Sequence, residues 1–137
     1  MARASRSPNL APRGGAPTRA RLTFTSQTHR LAGTLYRPAG EGPFPAIVVL
    51  HSASDGQHDA PLYVHLAHTM NEIGVAVYSY DRRGEEIPPQ ERVHPGYSAL
   101  ARDGLAAVRM LQARPEVDAT RIGLWGISQG GWIAPAA

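Results

Sequence analysis

The amino-acid sequence predicts an α/β protein: a doubly wound, mostly parallel sheet with an antiparallel strand pair at its start. Three observations carry this expectation. Apolar, β-branched runs at residues 45–50, at 75–80 and before Gly126 have the character of strands covered on both faces. Segments of helical period separate them. The last run passes at once into Gly126-Ile127-Ser128-Gln129-Gly130-Gly131, a turn that joins a strand to a helix.

Taken in order, the chain opens on residues 1–20, rich in Ala, Arg, Pro, Ser and Gly without apolar period, read as a disordered basic tail. A nucleic-acid-binding arm or a targeting peptide are the sharper readings. A secretory signal needs an apolar stretch that the tail lacks, and its prolines oppose an amphipathic helix. Residues 21–25 and 31–36 alternate polar and apolar side chains and form the antiparallel pair. Residues 37–43, with two prolines and two glycines, are a loop. The strand over 45–50 runs into the small-residue loop His51-Ser52-Ala53-Ser54-Asp55-Gly56, at the carboxyl end of a strand, where such sheets place ligands. Leu62, Leu66, Met70 and Ile73 then mark a helix that Gly74 closes. The strand over 75–80 ends in Asp81-Arg82-Arg83-Gly84, and residues 85–95 are an irregular loop. Ala101, Leu105, Val108 and Leu111 mark a second helix, ended before Pro115. Residues 118–122 lead into the third strand and its turn.

The length of 137 residues, 42% of them hydrophobic, is enough for one domain with a core. All fourteen basic residues are arginine, and Arg3, Arg6, Arg13 and Arg19 lie in the tail, so the net charge of +3 belongs largely to it. No nucleic-acid or membrane partner is expected: the remainder is near neutral, and no apolar run nears the roughly 18 residues of a membrane span. With no cysteine, disulfides and thiolate metal sites are excluded, and a cytoplasmic setting is expected.

The chemistry centres on Ser128. A serine hydroxyl is a weak nucleophile at neutral pH and must be held where a base can reach it. A tight strand-to-helix turn lifts it off the sheet. Gly126 and Gly130 remove the Cβ atoms that would collide in such a turn, and Gly131 is expected to let the helix lie close to the sheet. The Gln129 N–H would face a developing oxyanion. The same five residues also suit an ordinary strand-to-helix connection with an exposed serine.

The antiparallel opening pair, the segment from Ile47 to His51, Tyr80-Asp81-Arg82-Arg83-Gly84 and Leu124-Trp125-Gly126-Ile127-Ser128-Gln129-Gly130-Gly131 occur in one order. Together, over residues 21–137, they resemble the α/β-hydrolase superfamily, nearest its esterase, dienelactone-hydrolase-like and serine-aminopeptidase-like branches. The resemblance implies Ser128 as nucleophile. It implies an oxyanion hole of the Gln129 N–H and the Ala53 N–H, in a loop whose usual pattern is His-Gly where this chain has His51-Ser52. It implies no cofactor and no metal, and a small-molecule ester or amide as substrate.

In that family the acid and the histidine follow the serine, whereas this chain stops nine residues after Ser128. The expectation is therefore the N-terminal part of a hydrolase domain, inactive alone, acting in its complete form on carboxylic esters. A peptidase-like hydrolase, or a non-catalytic fragment or scaffold, are the alternatives. The strand before the turn would become a sheet edge. His51 is assigned to shaping its loop, and His94 has no placement. His65 and His68, spaced i, i+3, are read as an exposed helix face in preference to a metal pair. Asp81 is expected to fix its turn through Arg82 or Arg83, and Asp103 to sit early in its helix.

Overall fold

The computed structural model describes residues 16–53 and 56–136. The first fifteen residues of the expected tail, and Ser54 and Asp55 of the small-residue loop, lie outside them. The end of the expected tail is strand: β1 spans Thr18–Ser26, three residues longer at its start than the alternation suggested. Its partner β2 (His29–Arg37) pairs with it antiparallel from Thr18↔Arg37 to Ser26↔His29, and this register draws the extra residues into the sheet.

The remaining elements are β3 (Phe44–Leu50), α1 (Pro61–Glu72), β4 (Ala76–Tyr80), α2 (Tyr97–Gln112), β5 (Val117–Gly126) and α3 (Gln129–Ile133). The sheet order is β1-β2-β4-β3-β5. β2 meets β4 antiparallel, while β3 runs parallel to both β4 and β5.

Strand β3 shows why its sequence is apolar throughout. Side chains alternate across a strand. Ala46, Val48 and Leu50 join the core under α2, with Leu100, Ala101, Ala107 and Leu111. Val49 and the half-buried Ile47 join the core under α1, with Tyr63 and Ala67. A helix thus covers each face, as a doubly wound sheet requires.

The helices form where expected, and in α2 the expected Ala101 and Leu111 are buried. In α1 the expected Leu66 and Met70 are half-buried, but the fully buried residues are Tyr63 and Ala67, and Leu62 and Ile73 are exposed. The helix starts at Pro61, and the small Ala60 and Ala67 set its contact face. In α2 the face is again built from small residues, with Gly104 turned to the sheet. A Cβ there would come within 2.9 Å of a Leu50 methyl group. Because α2 begins at Tyr97, Asp103 sits two turns in and is buried, not early in the helix.

Strand β5 lies at the edge of the sheet, as expected, but Ile122, Leu124 and Trp125, read as a run covered on both faces, are only half-buried. It has one strand neighbour, β3, among the described residues, so less covers it. No helix among the described residues is long and apolar enough to cross a membrane.

Candidate active site

The strand-to-helix turn after β5 places Ser128 at φ 55° and ψ −116°, with its side chain exposed. Such a φ is uncommon for any residue but glycine. Two backbone bonds close the turn, Gly130 N–H to Ile127 O and Gly131 N–H to Ser128 O, each 2.9 Å. The second holds the Ser128 carbonyl. The N–H of the same trans peptide, that of Gln129, therefore points the opposite way. It takes no backbone acceptor among the described residues.

Both elbow glycines are required by the backbone. A Cβ on Gly126 would overlap the Gly130 carbonyl, and one on Gly130 would overlap that of Leu50 at the end of β3. Gly131 is different: a Cβ there meets nothing within 4 Å. The close approach of α3 to the sheet is thus set by Gly130 and not, as the sequence suggested, by Gly131.

The loop after β3 begins with His51, which is buried between the Tyr63 and Tyr80 rings, each edge-on at 5.1 Å. Burial, aided by the nearby Arg82 charge, pushes its imidazole down to about 3. It is a neutral packing group at physiological pH. Ser52 N–H donates to Tyr63 Oη at 2.9 Å. Arg82 donates from Nη1 to Ser52 O at 2.7 Å and from Nη2 to Ala53 O at 3.0 Å.

The loop after β4 carries most of the charge. Arg83 forks onto Asp103, with contacts of 2.7 and 2.6 Å, and the pair is nearly enclosed. That bond raises the Arg83 pKa above its ordinary value. Asp81, expected to bond Arg82 or Arg83, instead accepts from the backbone N–H of His58 and faces its Nδ1, both at 2.7 Å. The arginines have other partners: Asp103 for Arg83, and for Arg82 the loop carbonyls and Glu85 at 2.9 Å. Arg92 reaches the same Glu85 carboxylate at 3.4 Å.

His94, which the sequence could not place, lies beside the elbow. Its Nε2 is 2.9 Å from Gln129 Oε1. Gly96 N–H donates to its Nδ1 at 2.9 Å, so the proton of the neutral ring sits on Nε2 and points at Gln129. A cavity of about 340 Å³ opens here, lined by Ala53, Arg82, Arg92, His94 and Gln129 among others. A larger one, of about 570 Å³, lies between the β1–β2 turn and α2 and includes none of these residues.

The structure therefore brings Gln129 and Ala53 to one cavity, with Ser128 preceding Gln129 on the exposed turn. It does not bring a histidine into bonding distance of the Ser128 hydroxyl among the described residues. His65 and His68 are exposed on α1. No group of three or more His, Asp or Glu is placed to hold a metal among the described residues. The roles of Arg82 and His94 escaped the sequence reading because these contacts span 30 and 35 residues, beyond any local period.

A doubly wound sheet whose fifth strand breaks into an exposed serine turn is the α/β-hydrolase architecture. The solved dienelactone hydrolase from Anabaena variabilis shares it, with a TM-score of 0.73 at 20% identity over 86% of this chain and 55% of that one. A family model described as serine aminopeptidase, S33, matches residues 41–137, and the chain belongs to that family. Among curated relatives, mitochondrial acyl-coenzyme A thioesterase 2 of Mus musculus is 32% identical over 107 residues, 78% of this chain and 22% of its own. Esterase EstD of Thermotoga maritima is 28% identical over 112 residues, 77% of this chain and 26% of its own. The chain thus spans about a quarter of the length of these relatives.

Proposed function

We propose that Ser128 is the nucleophile of a serine hydrolase that transfers the acyl group of a carboxylic ester to water. One observation carries the reading: an exposed hydroxyl on a left-handed turn, followed by a residue that shares a cavity with Ala53. The serine oxygen bonds to the carbonyl carbon, and negative charge collects on the carbonyl oxygen. The Gln129 and Ala53 N–H groups face that charge. Collapse expels the alcohol, and water then releases the acid from the acyl-serine. No cofactor takes part in this sequence.

The base that takes the serine proton comes from outside the described residues, since no histidine among them bonds the hydroxyl. The chain alone then keeps only the share of catalysis that an oxyanion hole supplies without its triad, about 10³–10⁴ over water. Esters are favoured over peptides because the charged side chains lining the cavity, Arg82, Arg83, Glu85 and Arg92, are engaged in ion pairs and not left to grip a peptide terminus. The names of the relatives point the same way, one an esterase and one a thioesterase.

The test is acetylation by p-nitrophenyl acetate, followed by mass spectrometry of the purified chain. The expected result is an acetyl group on the peptide that holds Ser128, absent in Ser128→Ala. Acetylation elsewhere, or unchanged in the variant, would remove Ser128 from the chemistry. Faster attack on an aminoacyl p-nitroanilide than on the ester would replace the ester with a peptide substrate.

A further inference from the structure

We propose that the loop between β4 and α2 sets the oxyanion geometry, with Arg82 and His94 as positioning residues for its two N–H donors. The proposal rests on the reading of Ser128, Gln129 and Ala53 given above, and it concerns residues that act through those two backbone amides.

The argument for Arg82 is one of peptide planes. The Ser52 carbonyl and the Ala53 N–H belong to the same peptide unit, and the only cis bond among the described residues is Gly42-Pro43. In a trans unit the two groups point in opposite directions. Arg82 Nη1 pulls the Ser52 oxygen at 2.7 Å, which aims the Ala53 N–H away from the guanidinium. Its Nη2 holds the next carbonyl, that of Ala53, at 3.0 Å. A planar fork on two consecutive carbonyls fixes the direction of the peptide as well as its position. This replaces what a glycine at position 52 would otherwise provide through its free dihedrals.

At the other end of the loop, His94 holds the Gln129 side chain at 2.9 Å, and Gly96 fixes the ring from behind. Gln129 is 8% exposed, so its end of the bond is buried, while His94 is exposed. Its backbone N–H is the first donor. Between the two ends, Glu85 ties Arg82 to Arg92, and Arg92 donates to the Ile87 and Glu85 carbonyls at 2.6 and 3.0 Å. The loop is braced across its width, and a shift at one end moves both donors.

The probe is a short alkylboronic acid. Its boron accepts the Ser128 oxygen, the hydroxyl proton leaves to solvent, and a tetrahedral boronate places an oxygen where the oxyanion would lie. Binding is measured with backbone amide NMR of Ala53 and Gln129 on the purified chain, using Arg82→Lys, His94→Ala and His94→Gln, with Ser128→Ala as control. A hydrogen bond of about 1–1.5 kcal/mol corresponds to a loss of roughly five- to tenfold in affinity for Arg82→Lys and for His94→Ala. His94→Gln, which keeps a donor, should recover most of it. The Ala53 amide should shift in Arg82→Lys and the Gln129 amide in His94→Ala, with melting temperatures within a few degrees of the parent. Serine-dependent binding that is equally tight in all three variants, with both amides unmoved, overturns the proposal. Absence of boronate binding to the parent overturns the nucleophile reading instead, and the amide shifts then decide the clamp alone. Should Arg82→Lys unfold, the pair His94→Ala and His94→Gln decides by the same criteria.

Discussion

Strands β3 and β5 lie side by side in parallel register, Val48 opposite Leu124 and Leu50 opposite Gly126, yet they live in different surroundings. Val48 and Val49 are fully buried, whereas Leu124 and Trp125 are half-exposed. The charges divide in the same way. Arg83 and Asp103, in the covered half, are nearly enclosed, while Arg121 and Asp118 on β5 form an open surface pair at 2.8 Å. The facing stretches, residues 46–50 and 122–126, are both apolar in sequence, so composition does not explain the contrast between them. What differs is cover: β3 has a strand on each side and a helix on each face. Apolar character makes burial possible, and the neighbours decide whether it happens.

The sharpest way to break this comparison is through the two ion pairs. Arg83→Ala leaves the Asp103 carboxylate enclosed without a partner, a change that costs about 3–5 kcal/mol. Arg121→Ala should leave the urea midpoint where it was, since exposed pairs contribute little. Equal losses in the two variants would abolish the distinction between the halves. Next come the facing residues. Val48→Ala should cost about 2 kcal/mol through the cavity it opens, and Leu124→Ala less, although it removes more atoms. The reverse order in chemical denaturation would mean that β5 is the better covered strand.

The elbow offers a comparison between adjacent glycines. Gly130→Ala drives a methyl group into the Leu50 backbone and should cost about 1–3 kcal/mol while displacing the serine. Gly131→Ala points into open space within α3 and should be neutral or stabilising by up to about 1 kcal/mol. Circular dichroism melts of the two variants should bracket the parent.

The smallest effect per step is on pH. His51 has a folded-state pKa of about 3 against an ordinary 6.5, so below pH 6.5 the unfolded chain binds the proton that the folded chain refuses. Its contribution to stability is complete above 6.5 and is lost as the pH falls toward 3, by up to about 1.4 kcal/mol per unit. Arg114 and Thr120 hold the Glu116 and Asp118 carboxyls below their ordinary values of 4.5 and 3.8, so their contributions are lost only in more acid solution. Melting temperature should therefore fall between pH 6.5 and 4.5, and His51→Gln should flatten that interval. An unchanged slope in the variant would assign the acid sensitivity elsewhere.

The succession of elements along the chain, the buried-type strands and the serine turn were legible because each rests on a local signal: an apolar run, a helical period, glycines at fixed offsets. The phase of the α1 stripe was not. Leu62 and Ile73 fit a helical period as well as Tyr63 and Ala67 do, and only the way the helix lies on the sheet selects the second pair. Partners of the charged groups were also hidden. Asp81 lies next to Arg82 in sequence, but the chain turns it toward His58. His94 sits in a loop without period, and only the folded path of residues 81–96 carries it to Gln129.

The backbone at Ser128 has a further consequence. A non-glycine residue held at such angles stores roughly 1–3 kcal/mol that the rest of the fold must offset. The position where the proposed chemistry requires a hydroxyl is thus one where the chain would be more comfortable without any side chain. Ser128→Gly should melt above the parent while losing acetylation, so at this one residue selection for reactivity and selection for durability pull in opposite directions.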